Sequence, residues 1–493
     1  MKSSDIKKNI PVFIGFFLFY LIAAIVLYTK FGFYSKEGIF LMEKAILAFY
    51  GDPPRLENIG LIYPPLPFML MFPFAVFPVL WGPQVVTAFA AALISTFFIA
   101  ELRTLEMGRM LMIAFVVIML FHPLVLYNAV SGGSAVLFVL LMYVYLDLLL
   151  RYGYIGKTYH LVMAGLVVGL MAFIRYETFF FLLFLLPTIP IVVGGLRFRT
   201  SQGIFALFLM NIVPPVIAFI SWGYLNWLFS GNWLDFLHSP YSYFKNVELF
   251  GMLQTETLIA RHSIWGAIKT VLSKAVYIFP LYFVFLVLLR NTSLIWYFST
   301  PLLAMILAAY MGLTLFELGP YMVLIPLTSL MMAFNRRLIT GWGKIVIIVL
   351  LIASMPLSLQ LLRDSNIEEE ANFAAIIYGE RPEPIFNAEK EIAGFIEAYF
   401  KNNKKLLIDD AMGYPIVAFT KYPTRFILPY QYHFRSAVVF PTNFAAGYIV
   451  ADPRTLEGRL DAVGLYHTNA YFNGINGATL VKEAGPWRVY SFE

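Results

Sequence analysis

Eleven apolar segments follow one another through the first 360 residues of the chain. Each is close to the roughly 17–25 residues that an α-helix needs to cross the hydrocarbon core of a bilayer. Apolar residues make up 60% of the 493 residues and charged residues only 13%, whereas soluble domains average about 45–50% and about 25%. The sequence therefore predicts a polytopic membrane protein. The predicted spans are 10–28, 81–100, 110–128, 134–150, 159–174, 178–195, 204–227, 270–289, 293–312, 320–335 and 343–360.

Basic residues in alternate short connections predict the orientation of these spans. The positive-inside rule places such connections in the cytoplasm. An odd number of spans with a cytoplasmic N-terminus then puts the C-terminal region outside. The basic residues that support this orientation are Lys2, Lys7, Lys8, Arg103, Arg109, Arg151, Lys157, Arg197, Arg199, Arg290, Arg336, Arg337 and Lys344.

A proline-rich segment at residues 63–80, "YPPLPFMLMFPFAVFPVL", is apolar enough to span but contains five prolines. A twelfth span here would place neighbouring basic loops on the wrong side. We therefore interpret it as an interfacial or re-entrant segment on the outer face. Backbone interrupted by proline is tolerated at membrane depth only where protein or water covers it, so the segment is expected to line a cavity.

The remaining chain forms two outer loops, 29–80 and 228–269, and a region after the last span. In the first loop, apolar residues recur at helical spacing and predict an amphipathic helix over 36–50. Its apolar face consists of Ile39, Met42, Ile46 and Phe49, with Lys36, Glu37, Glu43 and Lys44 off that face. The chain thus divides into a membrane domain at 1–360 and a small domain at 361–493.

The C-terminal region has the pattern of a small soluble α/β domain. Asn387 is expected to cap a helix that continues to about residue 402. The segments "KLLIDD", "RFILP" and "GYIVAD" read as short buried strands, and "ATLVKEAGPWRVYSF" reads as a closing hairpin. The predicted fold class is an all-α polytopic membrane domain with a small C-terminal extracytoplasmic α/β domain.

Ionisable residues inside a membrane usually mark function because they are costly there. Asp147 is such a residue, but Arg151 follows one helical turn later and predicts an ordinary ion pair. The otherwise apolar midplane argues against an ion-coupled transporter, which needs titratable or coordinating groups at that depth. The chain has no cysteine, which excludes thiol catalysis and Cys-ligated metals.

Charged residues gather instead at the outer ends of the predicted spans. Arg175 and Glu177, in "MAFIRYETFFF", could form a phosphate clamp, since arginine offers a planar fork of donors, or only a tight turn with a local ion pair. His238 and Tyr241 lie in the long outer loop with Arg261 and His262. Each alone is more often a surface residue, but as a group they are plausible contacts to an anionic headgroup.

Glu37, in "FYSKEGIF", also has two interpretations. Ser35 is a good N-cap, which would place Glu37 in the first helical turn, where a negative charge favours the helix dipole by about 0.3–1 kcal/mol. Alternatively, Glu37 is a catalytic base facing the outer compartment.

The order of these features resembles the GT-C superfamily of integral-membrane glycosyltransferases, which includes protein mannosyltransferases and aminoarabinose transferases. The resemblance covers essentially the whole chain: a first span, an outer loop with an acid, "AFYGD" and "IYPPLPF", short-looped spans, "IRYE", "NWLFSGNWLDFLHSPYSYF", "PYMVLIPL", and an outer C-terminal domain. It implies an inverting sugar transfer from a polyprenyl-phosphate-linked donor to a glycan, lipid or protein acceptor outside the membrane.

The resemblance also implies roles for individual residues. Glu37 falls where the family has its general base, and the family's basic residue after span five falls on Arg175. Arg261 and His262 are expected to assist Arg175 at the donor phosphate. Ser134 and Gly319 stand where relatives often have an acid and an arginine. The expected contacts to substrate are Tyr63, Glu177, His238 and Tyr241.

Three further expectations follow. No cofactor or metal is expected, although Glu37 with Glu177 is a weak candidate pair for a divalent ion. Asp409 and Asp410 are expected to be solvated strand-end acids or contacts to sugar hydroxyls. The alternative functions are a non-catalytic scaffold of the same fold and a flippase or transporter of a lipid-linked precursor. The scaffold is favoured by Lys36 and Ser134, which stand where relatives often have acids.

Overall fold

A computed structural model describes residues 3–60, 63–77, 79–189, 201–239, 242, 247, 254–313, 317–335, 341–400, 404–475 and 477–492. The chain divides into two compact units. The helical unit comprises Met1–Phe31, Ile62–Pro67 and Gln84–Pro382, and the sheet unit comprises Gly32–Leu61, Phe68–Pro83 and Glu383–Glu493. This division begins the second unit later than residue 361 and adds most of the first outer loop to it.

The helical unit is built from long apolar helices. Among the described residues, six helices are long and apolar enough to cross a membrane, or up to eight if two bent pairs each form one span. The pairs bend by 44° before Pro123 and by 104° before Pro280, because proline lacks the N–H that continues the helical ladder. A multi-pass membrane protein is therefore confirmed, while eleven crossings stays a prediction. The helices are Ser3–Phe31, Gly82–Thr104, Arg109–Phe121, Pro123–Ser131, Ala135–Ile155, Thr158–Ala172, Thr178–Leu185, Ser201–Ser230, Asp235–His238, Thr255–His262, Ile264–Ile278, Pro280–Val287, Thr292–Tyr310, Leu324–Met332, Gly343–Arg363 and Glu368–Ile377, with 3-10 turns at Leu186–Thr188 and Gly319–Val323.

Each predicted span overlaps one or more of these helices, and polar side chains tie several of them together. The Tyr20 hydroxyl donates to the carbonyl oxygen of Met119 at 2.5 Å and lies 2.9 Å from the Ser95 hydroxyl, which links the first three long helices. Arg151 pairs with Asp147 at 2.7 Å, as its spacing predicts, and also with Glu101 at 2.8 Å. The end of the predicted sixth span, 190–195, lies outside the described residues.

Among its described residues, the sheet unit contains five strands and a set of short helices. The strands are β1 (Leu406–Leu407), β2 (Phe426–Ile427), β3 (Gly447–Ala451), β4 (Thr479–Ala484) and β5 (Trp487–Ser491). They confirm the predicted strands and the closing hairpin. The helices are Lys36–Tyr50, Leu66–Ala75, Asn387–Tyr399, Asp410–Phe419, Phe434–Val439, Pro441–Phe444, Leu456–Leu460, Ala462–Tyr466 and Ala470–Asn473, with 3-10 turns at Leu56–Ile59 and Pro423–Arg425.

The five strands form one mixed sheet in the order β2-β1-β3-β5-β4. The first three strands run parallel, and the β4–β5 hairpin pairs antiparallel to β3. Apolar cores form from two groups of side chains, one around Trp487 and Ile416 and one around Tyr448 and Tyr490. The helix predicted from Asn387 does begin there, but Phe386 rather than Asn387 occupies the cap position.

The predicted amphipathic helix of the first loop is confirmed at Lys36–Tyr50, and we call it the first-loop helix. One expectation for it is wrong: Glu43 and Lys44 are buried, with 1% and 6% of their surface exposed. The expectation that Asp409 and Asp410 are solvated is also wrong, because both are 3% exposed. The physical reason is shared, since the first-loop helix packs within the sheet unit and its second face is covered too.

Candidate active site

Arg175 lies in the turn that joins the helices Thr158–Ala172 and Thr178–Leu185, and only 7% of it is exposed. Its Nε and Nη2 atoms donate to Glu177 Oε1 at 3.1 and 2.9 Å. Its Nη1 and Nη2 atoms also lie 3.3 and 3.4 Å from Glu317 Oε2. The local ion pair considered from sequence is therefore present, and a second carboxylate joins it.

Glu317 is a residue that the sequence reasoning missed, although a signal for it exists. It is the only acidic residue between Glu256 and Asp364, within an otherwise apolar stretch. An isolated charge in such a stretch is a candidate for function by default. Among the described residues, this cluster brings one guanidinium together with two carboxylates.

The same turn also contacts the segment that begins at Tyr63. The backbone N–H of Leu66 donates to the carbonyl oxygen of Phe173 at 3.0 Å. Burial raises the pKa of the Tyr176 hydroxyl, and its coupling to Tyr63 adds to the rise. Tyr176 accepts a hydrogen bond from Trp222 Nε1 at 3.1 Å. The structure therefore brings Tyr63 close to the turn that holds Arg175 and Glu177.

The helix Asp235–His238 reaches this turn through Phe236. The rings of Phe236 and Tyr176 stack with their centroids 5.5 Å apart, and Phe236 is buried while His238 is exposed. The buried aromatic ring of Phe236 therefore anchors the short helix that carries His238 to the 173–177 turn. Tyr241 lies outside the described residues.

Arg261 lies in the last turn of the helix Thr255–His262 and contacts Gly312, which follows the helix Thr292–Tyr310. Its Nη2 atom donates to the carbonyl oxygen of Gly312 at 2.7 Å. Its Nε atom is buried and, among the described residues, has no hydrogen-bond acceptor. His262, the next residue, is exposed. An unsatisfied buried donor carries a cost of about 1–3 kcal/mol, which an anionic ligand would relieve.

Glu370 contacts Leu318, the residue that follows Glu317. Its carboxylate accepts from the backbone N–H of Leu318 at 2.7 Å and from the Ser365 hydroxyl at 2.5 Å. Burial raises the pKa of Glu370 to about 8, with the charge of Glu317 adding to the rise. Carboxyl groups with a perturbed pKa are common at functional sites. The sequence did not single out Glu370, because it is one of three consecutive glutamates at 368–370.

The residues around Gly312 and Leu318 thus join three segments of the helical unit. Arg261 binds at one end, Glu317 pairs with Arg175, and Leu318 bonds Glu370. Four of the residues expected from sequence lie at the 173–177 turn or contact Gly312, namely Tyr63, Arg175, Glu177 and Arg261. His262 adjoins Arg261 in sequence and is exposed.

Glu37 belongs to the sheet unit. Ser35 caps the first-loop helix, with its hydroxyl accepting from the Gly38 N–H at 2.9 Å, so Glu37 is the second helical residue as predicted. Its side chain is half-buried, and no hydrogen bond or ion pair with a described residue engages its carboxylate. Both sequence interpretations, a favourable first-turn charge and an available base, are compatible with this geometry.

No group of three or more His, Asp or Glu side chains that could hold a metal ion occurs among the described residues.

Comparisons with known proteins show which fold the chain shares. No family model and no curated protein matches the sequence. Two crystal structures of ArnT from Cupriavidus metallidurans do match the structure. The form bound to undecaprenyl phosphate is 12% identical with a TM-score of 0.52, and the apo form is 13% identical with a TM-score of 0.53.

In both comparisons the alignment covers 96% of this chain and 97% of ArnT. The likeness therefore extends over the helical membrane domain and the small C-terminal sheet together. At this level of identity it concerns the fold, and it confirms the predicted architecture of a helical membrane domain with a small C-terminal sheet domain.

Proposed function

We propose that the protein transfers a sugar from a polyprenyl-phosphate-linked donor to an acceptor on the outer face of the membrane, with inversion at the anomeric carbon. The observation that carries this proposal is the full-length fold likeness to ArnT, one of whose structures is bound to undecaprenyl phosphate. The acceptor class in this proposal is a glycan, a lipid or a protein.

In the proposed reaction, the acceptor hydroxyl gives its proton to the Glu37 carboxylate. The hydroxyl oxygen forms a bond to the anomeric carbon as the bond from that carbon to the phosphate oxygen breaks. The bonding electron pair leaves with the polyprenyl phosphate. General-base assistance of this kind contributes about 10²–10⁴-fold. A single displacement inverts the anomeric centre.

Cationic donors in the helical unit are proposed to stabilise the leaving phosphate. Arg261 supports this role because its buried Nε has no acceptor among the described residues, and the exposed His262 adjoins it. Arg175 has the matching chemistry, but Glu177 and Glu317 already accept hydrogen bonds from it. Arg175 therefore requires a carboxylate to move before it binds phosphate, and Arg261 is the stronger candidate.

The remaining predicted contacts, Tyr63, Glu177, His238 and Tyr241, are assigned to the substrate. In this proposal the N-terminus is cytoplasmic and the C-terminal domain extracytoplasmic. A reporter fused after residue 361 tests the orientation. An extracytoplasmic reporter signal supports the proposal, and a cytoplasmic one contradicts it.

The central experiment compares Glu37→Gln with Glu57→Gln, which alters another carboxylate of the same loop, one paired with Arg55 at 2.8 Å. Purified variants are given a panel of polyprenyl-phosphate-linked sugars with envelope extract as acceptor, and release of polyprenyl phosphate is measured. We expect Glu37→Gln to lower turnover by about 10²–10⁴-fold and Glu57→Gln to leave it near wild type.

Binding of undecaprenyl phosphate, measured separately, completes the test. A folded Glu37→Gln variant with wild-type turnover contradicts the base assignment. A wild-type protein that binds undecaprenyl phosphate but transfers no sugar from the panel instead supports the non-catalytic scaffold.

A further inference from the structure

Three ionisable side chains lie buried together in the sheet unit. Lys44 Nζ donates to Asp410 Oδ2 at 2.5 Å and lies 3.4 Å from Glu43 Oε2. Glu43 accepts no hydrogen bond from any described residue. Burial raises the pKa of Glu43 well above its ordinary value, and the Asp410 charge adds to the rise while Lys44 opposes it. The cluster therefore consists of one ion pair with a second buried carboxyl group beside it.

The ion pair joins two helices, the first-loop helix and the helix Asp410–Phe419. Aromatic rings continue the same contact: Tyr34 meets Phe419 edge-on at 5.4 Å, and Phe40 meets Tyr414 at 5.5 Å. The residue numbers rise along one segment as they fall along the other, so the two segments pack antiparallel. The Lys44–Asp410 ion pair is the next contact in this series, and it is polar rather than aromatic.

Stability alone does not account for a buried ion pair. Removing two charges from water is costly, and apolar replacements of similar volume are often neutral or stabilising by about 1–4 kcal/mol. A charged pair does, however, select one register. Aromatic contacts tolerate a slide along the helix, whereas a slide of one turn, about 5.4 Å, would separate Lys44 from Asp410.

The register of the first-loop helix determines where Glu37 lies. Glu37 is in the first turn of this helix, and the same helix contributes Leu47 to the core around Trp487. We propose that the Lys44–Asp410 ion pair is a positioning element for Glu37, so that the C-terminal chain sets the placement of the catalytic base. This inference rests on the proposed function.

The test uses an apolar pair, Lys44→Met with Asp410→Leu, which is expected to fold. We expect kcat to fall at least tenfold while KM for the lipid donor stays within twofold, since a misplacement of about 1 Å costs up to about 10²-fold. Glu43→Gln is the matched control, because it changes a buried acid of the same helix and leaves the Lys44–Asp410 ion pair in place, and its kcat should stay within twofold.

A second measurement is independent of turnover. The chain has no cysteine, so Glu37→Cys introduces a unique thiol whose alkylation rate and spin-label mobility report on that position. We expect both to change at least threefold when the apolar pair is added. Unchanged labelling overturns the positioning role, whatever the enzyme does.

If labelling changes but Glu37→Gln retains turnover, the positioning role stands and the proposed base fails. Should the apolar pair not fold, the reversed pair Lys44→Asp with Asp410→Lys replaces it. A higher turnover in the reversed pair than in the single variant Lys44→Met supports the proposal. A folded reversed pair with no recovery contradicts it.

Discussion

The guanidinium of Arg261 lies directly against the α-carbon of Gly312. A Cβ atom placed on Gly312 would be 1.8 Å from Arg261 Nε and 2.4 Å from its Cζ. Gly312 also has a φ of +64°, a conformation that residues with a side chain rarely adopt. The glycine is therefore required both by the backbone and by the arginine that packs on it.

This contact predicts that Gly312→Ala displaces Arg261 and weakens donor binding as much as Arg261→Ala does. The matched control is Gly341→Ala, because Gly341 has a similar φ of +57° but no atom within 4 Å of its would-be Cβ. We expect Kd for undecaprenyl phosphate to rise about tenfold in Gly312→Ala, which corresponds to about 1.4 kcal/mol. Equal losses in the two glycine variants would show that backbone strain, not Arg261, is responsible.

Because Glu177 and Glu317 already pair with Arg175, we expect a substitution at Glu317 to strengthen donor binding rather than weaken it. Replacing Glu317 with Gln removes one of two carboxylates that compete with phosphate for Arg175. If Arg175 binds the donor phosphate, Kd for undecaprenyl phosphate should fall several-fold, since charge-assisted bonds contribute about 1.5–3 kcal/mol. Asp364→Asn, an exposed acid that accepts from Gln360, is the control. Unchanged or weaker binding in Glu317→Gln would make the Arg175 cluster structural.

A buried aspartate predicts a loss of stability in the sheet unit. Asp409 accepts from the Ala411 N–H with Oδ1 at 2.9 Å and from the Ala462 N–H with Oδ2 at 2.8 Å. In Asp409→Asn, the amide nitrogen must face one of these donors. We expect a destabilisation of about 1–3 kcal/mol, the cost of an unsatisfied buried group, measured by denaturant unfolding. Asp364→Asn again serves as control, and an equally small change in both variants would contradict the prediction.

The sequence predicts the elements of this fold well, because their signals are local. Apolar length identifies membrane helices, and alternating or continuous apolar runs identify β1 to β5. The first-loop helix followed from spacing alone, including its Ser35 cap.

What the sequence could not predict depends on packing between distant segments. Lys44 and Asp410 are 366 positions apart, so nothing local indicated that either would be buried. Arg175 and Glu317 are 142 positions apart. The same limit applies to the two compact units, since assigning the first loop to the sheet unit requires knowing that Leu47 packs with Trp487.

Glu370 predicts a pH dependence of stability. Its folded pKa is about 8, raised mainly by burial from an ordinary value of 4.5. Between these values the folded state binds a proton that the unfolded state has released, so stability decreases as pH rises through this window, by at most about 1.4 kcal/mol per pH unit. The contribution of Glu370 to the free energy of unfolding is fully present below pH 4.5 and is lost above pH 8.

Glu370→Gln should remove this dependence. Its amide oxygen can accept from the Leu318 N–H, and its NH₂ group can donate to the Ser365 hydroxyl, as a protonated carboxyl would. We therefore expect the fall in Tm between pH 5 and pH 8 to be smaller in Glu370→Gln than in the wild type, and the variant to be the more stable protein at pH 8. Glu383→Gln, at an exposed position, should keep the wild-type slope. Parallel Tm curves for Glu370→Gln and the wild type would show that Glu370 is ionised in the folded protein across this range.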